Sequence, residues 1–172
     1  MKIQRQRVIL AAILFAGLIL RILAAHSYWE WNDSTFPESW KISKLVLSHD
    51  GQTYIHQARP DTWRSSSPFF QQWENLPYYR PPLASYYFKY LFQASDFNRL
   101  TVSIVQSFLA ILAYLFLYLI AALLFNHRVA IISLLFLTLH PVLIFYDISF
   151  EDNPLALFFL STTIYVLSLI HI

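Results

Sequence analysis

Long apolar runs alternate along this chain with short polar turns and one aromatic-rich stretch. A hydrocarbon core of ~30 Å takes about 20 helical residues to cross. The first run, Val8 to Ala25, follows Lys2, Arg5 and Arg7, which predicts a span with its start in the cytoplasm. A cleaved signal peptide is the competing reading, because Leu23-Ala24-Ala25 offers small residues at the right distance. Val102 to Phe125 predicts a second span, ended by the cytoplasmic turn Asn126-His127-Arg128. Val129 to Tyr146 returns as a third, with Pro141 set to kink it in its outer third. Pro154 to Ile170 makes the fourth, with Asn153 as N-cap and Pro154 as first helical residue. The predicted fold is therefore an all-α integral membrane protein of about four transmembrane helices, with both ends cytoplasmic and a large extracytoplasmic first loop over residues 26–101.

That loop holds all five Trp, seven of the eleven Tyr and six of the eight Pro. Flexible linkers are poor in aromatics, whereas Trp and Tyr favour the wet edge of a bilayer. The loop is expected to be ordered and to lie against the membrane. Within it, Leu83 to Phe92 is too short to span and carries Lys89, so it reads as an interfacial helix opened by Pro81-Pro82.

Composition supports the same class. Hydrophobic residues make up 57% of the 172 and charged ones 13%, against about 25% in soluble domains. A formal net charge of +2 gives no broad basic surface, which excludes nucleic-acid partners. The absence of cysteine excludes disulfides, thiolate nucleophiles and Cys-based zinc sites. With only Gly17 and Gly51 present, helix contacts are expected to rely on Ala, Ser and Thr rather than on close glycine packing. Arg21 lies ~6 Å from the outer end of the first span, where snorkelling to the headgroups is the expected role and pairing with a loop carboxylate the alternative. His140, beside Pro141, reads as structural.

Three polar groups carry candidate chemistry, and each has a plain structural alternative. The turn Asp147-x-x-x-Glu151-Asp152 concentrates three of ten acids at a helix start, either to complement the helix dipole or to hold a substrate or metal ion. A short helix beginning near Asp50 puts Asp50 and Tyr54 on one face, with simple capping as the alternative for Asp50. His49 and His56 are ~10 Å apart on that helix, too far to share one metal ion. Arg80, in the rigid Tyr79-Arg80-Pro81-Pro82 turn, either grips a phosphate or snorkels.

In this order the pieces resemble the N-terminal part of a polytopic GT-C glycosyltransferase, of the group that includes protein O-mannosyltransferases and lipid A aminoarabinose transferases. Arg21 late in the first span, Asp50 with Tyr54 and Ala58, Arg80-Pro81-Pro82-Leu83, His140-Pro141 and Glu151 to Pro154 carry the likeness, from about Val8 to Ile170. The resemblance implies transfer of a sugar, with inversion, from a polyprenyl-phosphate donor to a hydroxyl of a lipid, glycan or protein on the non-cytoplasmic face. It assigns Asp50 as catalytic base, Tyr54 and Arg80 to substrate binding, and Glu151 and Asp152 to orienting the acceptor or holding a divalent ion beside Asp50. No cofactor beyond such an ion is implied. A bacterial inner membrane, with the active face towards the periplasm, is the expected home.

Two departures stand out. Family members often have two adjacent acids where Asp50 is followed by Gly51. They also have more spans, and the last run here lacks a basic flank, so the chain is expected to be a fragment that lacks much of the donor site. The rival to an enzyme is a small polytopic subunit or assembly factor that presents its aromatic loop to a partner. A transporter is disfavoured because the spans lack the buried ionisable residues that ion or proton coupling needs.

Overall fold

The structure, a computed structural model, describes residues 2–35, 82–96 and 98–171. Every regular element among them is α-helical: α1 (Lys2–Thr35), α2 (Pro82–Ala94), α3 (Arg99–Leu124), α4 (His127–Leu139), α5 (Pro141–Ile148) and α6 (Asn153–His171). The all-α membrane class expected from the hydrophobic pattern holds. Among the described residues α1, α3 and α6 are long and apolar enough to cross a bilayer, and α4 with α5 passes the same test as one bent span.

Local sequence explains most boundaries. Asn98 opens α3 by accepting a hydrogen bond from the Thr101 N–H at 3.0 Å. Asn126 does the same for α4, accepting from Arg128 and Val129 at 3.0 Å each. Asp96 turns the chain between α2 and α3 at φ +50°, a conformation that Asp tolerates better than most residues. At α6 the helix begins at Asn153, and the carbonyl of Asp152 accepts from Ala156 N–H at 2.9 Å. The flanking position therefore falls on Asp152, one residue before the expected cap.

Two elements differ from expectation. Helix α1 continues past Ala25 to Thr35, because His26 to Thr35 contains neither Gly nor Pro and Trp29 finds a buried site. Its 34 residues reach ~51 Å, more than the bilayer core, so one end stands clear of it. The expected kink at Pro141 is a full break. Helices α4 and α5 meet at 60°, with His140 ending one and Pro141 starting the next.

Helix α3 is the central post, packed against α1, α4, α5 and α6. One apolar cluster surrounds its lower half, through Ala110, Ile111, Tyr114, Tyr118, Ala130 and Leu134. A second, at the end away from Lys2, joins Ala25 and Trp29 of α1, Phe88 and Phe92 of α2, Val102 of α3, and Phe150. The outer surface is strongly apolar: Phe15 is 65% exposed, Ile132 67% and Ile170 71%. Apolar exposure on this scale suits lipid, not water.

Glycine packing contradicts the expectation from composition. A Cβ at Gly17 would stand 3.1 Å from both Cβ and Cγ2 of Thr138 and 3.3 Å from Cδ1 of Ile111. One glycine thus suffices to bring α1 and α4 into close contact.

Candidate functional site

The far end of the bundle is organised around the turn Ser149 to Asp152, between α5 and α6. Helix α3 supplies buried polar side chains at Ser103, Gln106 and Ser107, spaced to lie on one face. Ser103 Oγ accepts from Trp29 Nε1 at 2.8 Å and donates to the Ile148 carbonyl at 2.7 Å, tying α1, α3 and the end of α5 together. Gln106 Nε2 donates to the Glu151 carbonyl at 2.7 Å, while its Oε1 is buried without a hydrogen-bond partner. The ring of Phe150 stacks on Trp29 at 5.0 Å and meets Phe92 edge-on at 5.0 Å. These contacts leave Glu151 buried and Asp152 half-buried.

Helix α2 closes this end. Ala84, Phe88 and Phe92 recur every fourth residue and face the core, whereas Leu83, Tyr86 and Tyr90 are exposed. The helix expected over Leu83 to Phe92 forms as Pro82–Ala94. Tyr87 is half-buried, with its hydroxyl enclosed and unpartnered, and this burial pushes its phenol up to about 12. The Arg99 guanidinium lies 5.2 Å from the Trp29 ring centroid.

Below the turn, Arg21 is fully buried and does not snorkel. Its Nε donates to Asp147 Oδ2 at 2.8 Å, and one terminal nitrogen donates to the carbonyls of Gly17 and Thr138, both at 3.0 Å. The other terminal nitrogen reaches the Leu137 carbonyl at 3.3 Å. Tyr114 completes the network by donating to Asp147 Oδ2 at 2.7 Å, with its ring 5.1 Å from the guanidinium carbon. Depth keeps Arg21 from the headgroups. Arg21 lies ~22 Å along α1 from Gln6, and a carboxylate from α5 meets it there, so the charge is satisfied without reaching the headgroups. Asp147 accordingly belongs to this buried pair and not to an open acidic turn. The spans do hold a buried ionisable pair, which removes the composition argument against transport; this pair is closed on itself by hydrogen bonds.

Of the sequence-derived candidates, Glu151 and Asp152 stand together at the far end, beside Gln106. Asp50, Tyr54 and Arg80 lie outside the described residues, as do His49 and His56. His140 sits at the α4–α5 break with a buried Nδ1 that has no hydrogen-bond partner, and it touches Phe136. Among the described residues no three His, Asp or Glu side chains group as metal ligands. Two adjacent carboxylates fall short of the six or more oxygens that hard divalent cations take, so a metal at Glu151 and Asp152 requires further ligands. Sequence reasoning missed Ser103 and Gln106. Their signal was available, as polar residues three apart on one face of an otherwise apolar span.

No curated protein and no solved structure matches the chain at a significant level. The family model described as dolichyl-phosphate-mannose-protein mannosyltransferase matches residues 79–172, more than half of the chain, and covers α2 to α6 with the Glu151–Asp152 turn. The chain therefore belongs to the dolichyl-phosphate-mannose-protein mannosyltransferase family, membrane glycosyltransferases of the GT-C type.

Proposed function

We propose that the protein transfers a sugar from a polyprenyl-phosphate donor to an acceptor hydroxyl on the non-cytoplasmic side of its membrane, with inversion. The single observation that carries this reading is the family match over the segment that holds Glu151 and Asp152. The basic start of α1 supports a cytoplasmic N-terminus, which sets the far end of the bundle on the opposite side. A bacterial inner membrane, facing the periplasm, is the proposed home.

In this mechanism Asp50 takes the proton of the acceptor hydroxyl as its oxygen attacks the anomeric carbon. The bond from that carbon to the phosphate oxygen breaks on the opposite face, and polyprenyl phosphate departs. One displacement inverts the configuration. Charge building on the phosphate needs a cation, the role of Arg80. Tyr54 binds substrate beside Asp50. Glu151 and Asp152 orient the acceptor or, with Asp50, hold a divalent ion. The acceptor is a lipid, glycan or protein hydroxyl.

The test uses the full chain in native membranes, with dolichyl phosphate carrying radiolabelled mannose as the first donor. Asp50→Asn should abolish release of dolichyl phosphate while membrane insertion is unchanged. Undiminished turnover in that variant removes Asp50 from the mechanism.

A further inference from the structure

A straight helix through residue 141 would satisfy the Leu137 carbonyl with the N–H of residue 141, and the Thr138 carbonyl with that of Val142. Pro141 has no N–H, and the 60° break carries Val142 away. The backbone bonds on either side of the break are His140 N–H to the Phe136 carbonyl and Ile144 N–H to the His140 carbonyl, 3.0 Å each. Arg21 supplies the two missing donors, at 3.0 Å to Thr138 and 3.3 Å to Leu137. The same guanidinium grips Asp147, in the last turn of the helix that follows the break. One side chain from α1 therefore holds the end of α4 and the end of α5 at once.

We infer that Arg21 is a positioning residue that sets the bend between α4 and α5, and thereby where the Glu151–Asp152 turn stands at the far end of the bundle. Helix α5 has only eight residues, about two turns, so its direction fixes the location of the turn that follows. Guanidinium geometry suits the task. Planar donors in a fixed fork meet the Asp147 carboxylate through Nε and three carbonyls, two of them at the end of α4, through the terminal nitrogens, which a single ammonium does not. Functional importance of this placement rests on the reading above, that Glu151 and Asp152 serve the acceptor.

The chain contains no cysteine, so a single Asp152→Cys reporter reads the turn directly in the full chain, with a membrane-impermeant maleimide and without any activity assay. Arg21→Lys in that background should change the labelling rate about tenfold or more. In the cysteine-free chain it should lower transfer from dolichyl-phosphate mannose about 100-fold, as misplacement by an ångström does elsewhere. A second variant separates positioning from stability. Arg21→Met with Asp147→Asn and Pro141→Ala removes the buried charges and returns an N–H to residue 141, so the span can straighten and insert stably. Its heat resistance should be close to native while labelling at position 152 is altered and transfer is lost. Native labelling in both variants overturns the proposal. Altered labelling with unchanged transfer leaves Arg21 setting the turn but overturns the role of Glu151 and Asp152 in the reaction.

Discussion

Gln106 Nε2 stands 2.7 Å from the main-chain oxygen of Glu151, so a side chain in the middle span holds the backbone of the acidic turn and leaves its carboxylates to other partners. The bond is fully buried on the Gln106 side. Replacing that donor by an isosteric hydrocarbon strands the Glu151 carbonyl, at a cost of about 1–3 kcal/mol. Gln106→Leu should therefore lower the thermal midpoint of the detergent-solubilised protein and reduce transfer. Gln106→Glu should do more harm, because it sets a carboxylate against a carbonyl. A native midpoint in Gln106→Leu would show that the bond contributes nothing.

Gly17 and Thr138 give a second prediction. Alanine at position 17 gains about 1 kcal/mol of helix propensity. Its Cβ meets Thr138 Cβ and Cγ2 at 3.1 Å, and the first of these atoms is fixed to the backbone of α4. Moving α1 outward would stretch the 3.0 Å bond from Arg21 to the Thr138 carbonyl. The clash should win, and Gly17→Ala should lose about 1–3 kcal/mol of stability by thermal or denaturant unfolding. Adding Thr138→Ala, which removes Cγ2 but not Cβ, should recover part of the loss.

How far the sequence revealed this arrangement depends on the range of each signal. Asn126 in a polar turn, Pro141 inside an apolar run, and Pro81-Pro82 before the short aromatic run Leu83 to Phe92 act through their near neighbours, and each is legible. Arg21 is not. Its partner Asp147 is 126 positions away, and no local pattern distinguishes a paired arginine from a snorkelling one. The close packing at Gly17 is not legible from a chain with only two glycines, because a count of small residues does not say which one a β-branched side chain will face. The Asp50, Tyr54 and Arg80 assignments rest on local spacing and resemblance, since they fall outside the described residues. Glu151 was picked out by its charge, while the anchor beneath it, Gln106, carried only the weaker mark of polarity within a span.

Sidedness can be tested on the same cysteine-free background. Single cysteines at His49, Asn153 and Arg128 should divide two to one under impermeant maleimide, with His49→Cys and Asn153→Cys labelled from the non-cytoplasmic side and Arg128→Cys only after permeabilisation. The basic residues Lys2, Arg5, Arg7 and Arg128 support this arrangement. Labelling of positions 49 and 153 from opposite sides would separate Asp50 from Glu151 by the bilayer and end the proposed mechanism.

Alkaline pH should expose the burial of Tyr87. Its phenol titrates at about 12 in the folded protein against 10.0 for the ordinary side chain, because burial disfavours the phenolate. The folded state thus binds this proton more tightly than the unfolded state. Stability from the shift is fully present below pH 10.0 and is lost as pH rises towards 12. The hydroxyl has no hydrogen-bond partner, so Tyr87→Phe removes a buried polar group that nothing satisfies. Tyr87→Phe should be as stable as the native protein at neutral pH, or more so, and should flatten the decline of the thermal midpoint between pH 10 and 12. An unchanged alkaline decline would assign it to other tyrosines.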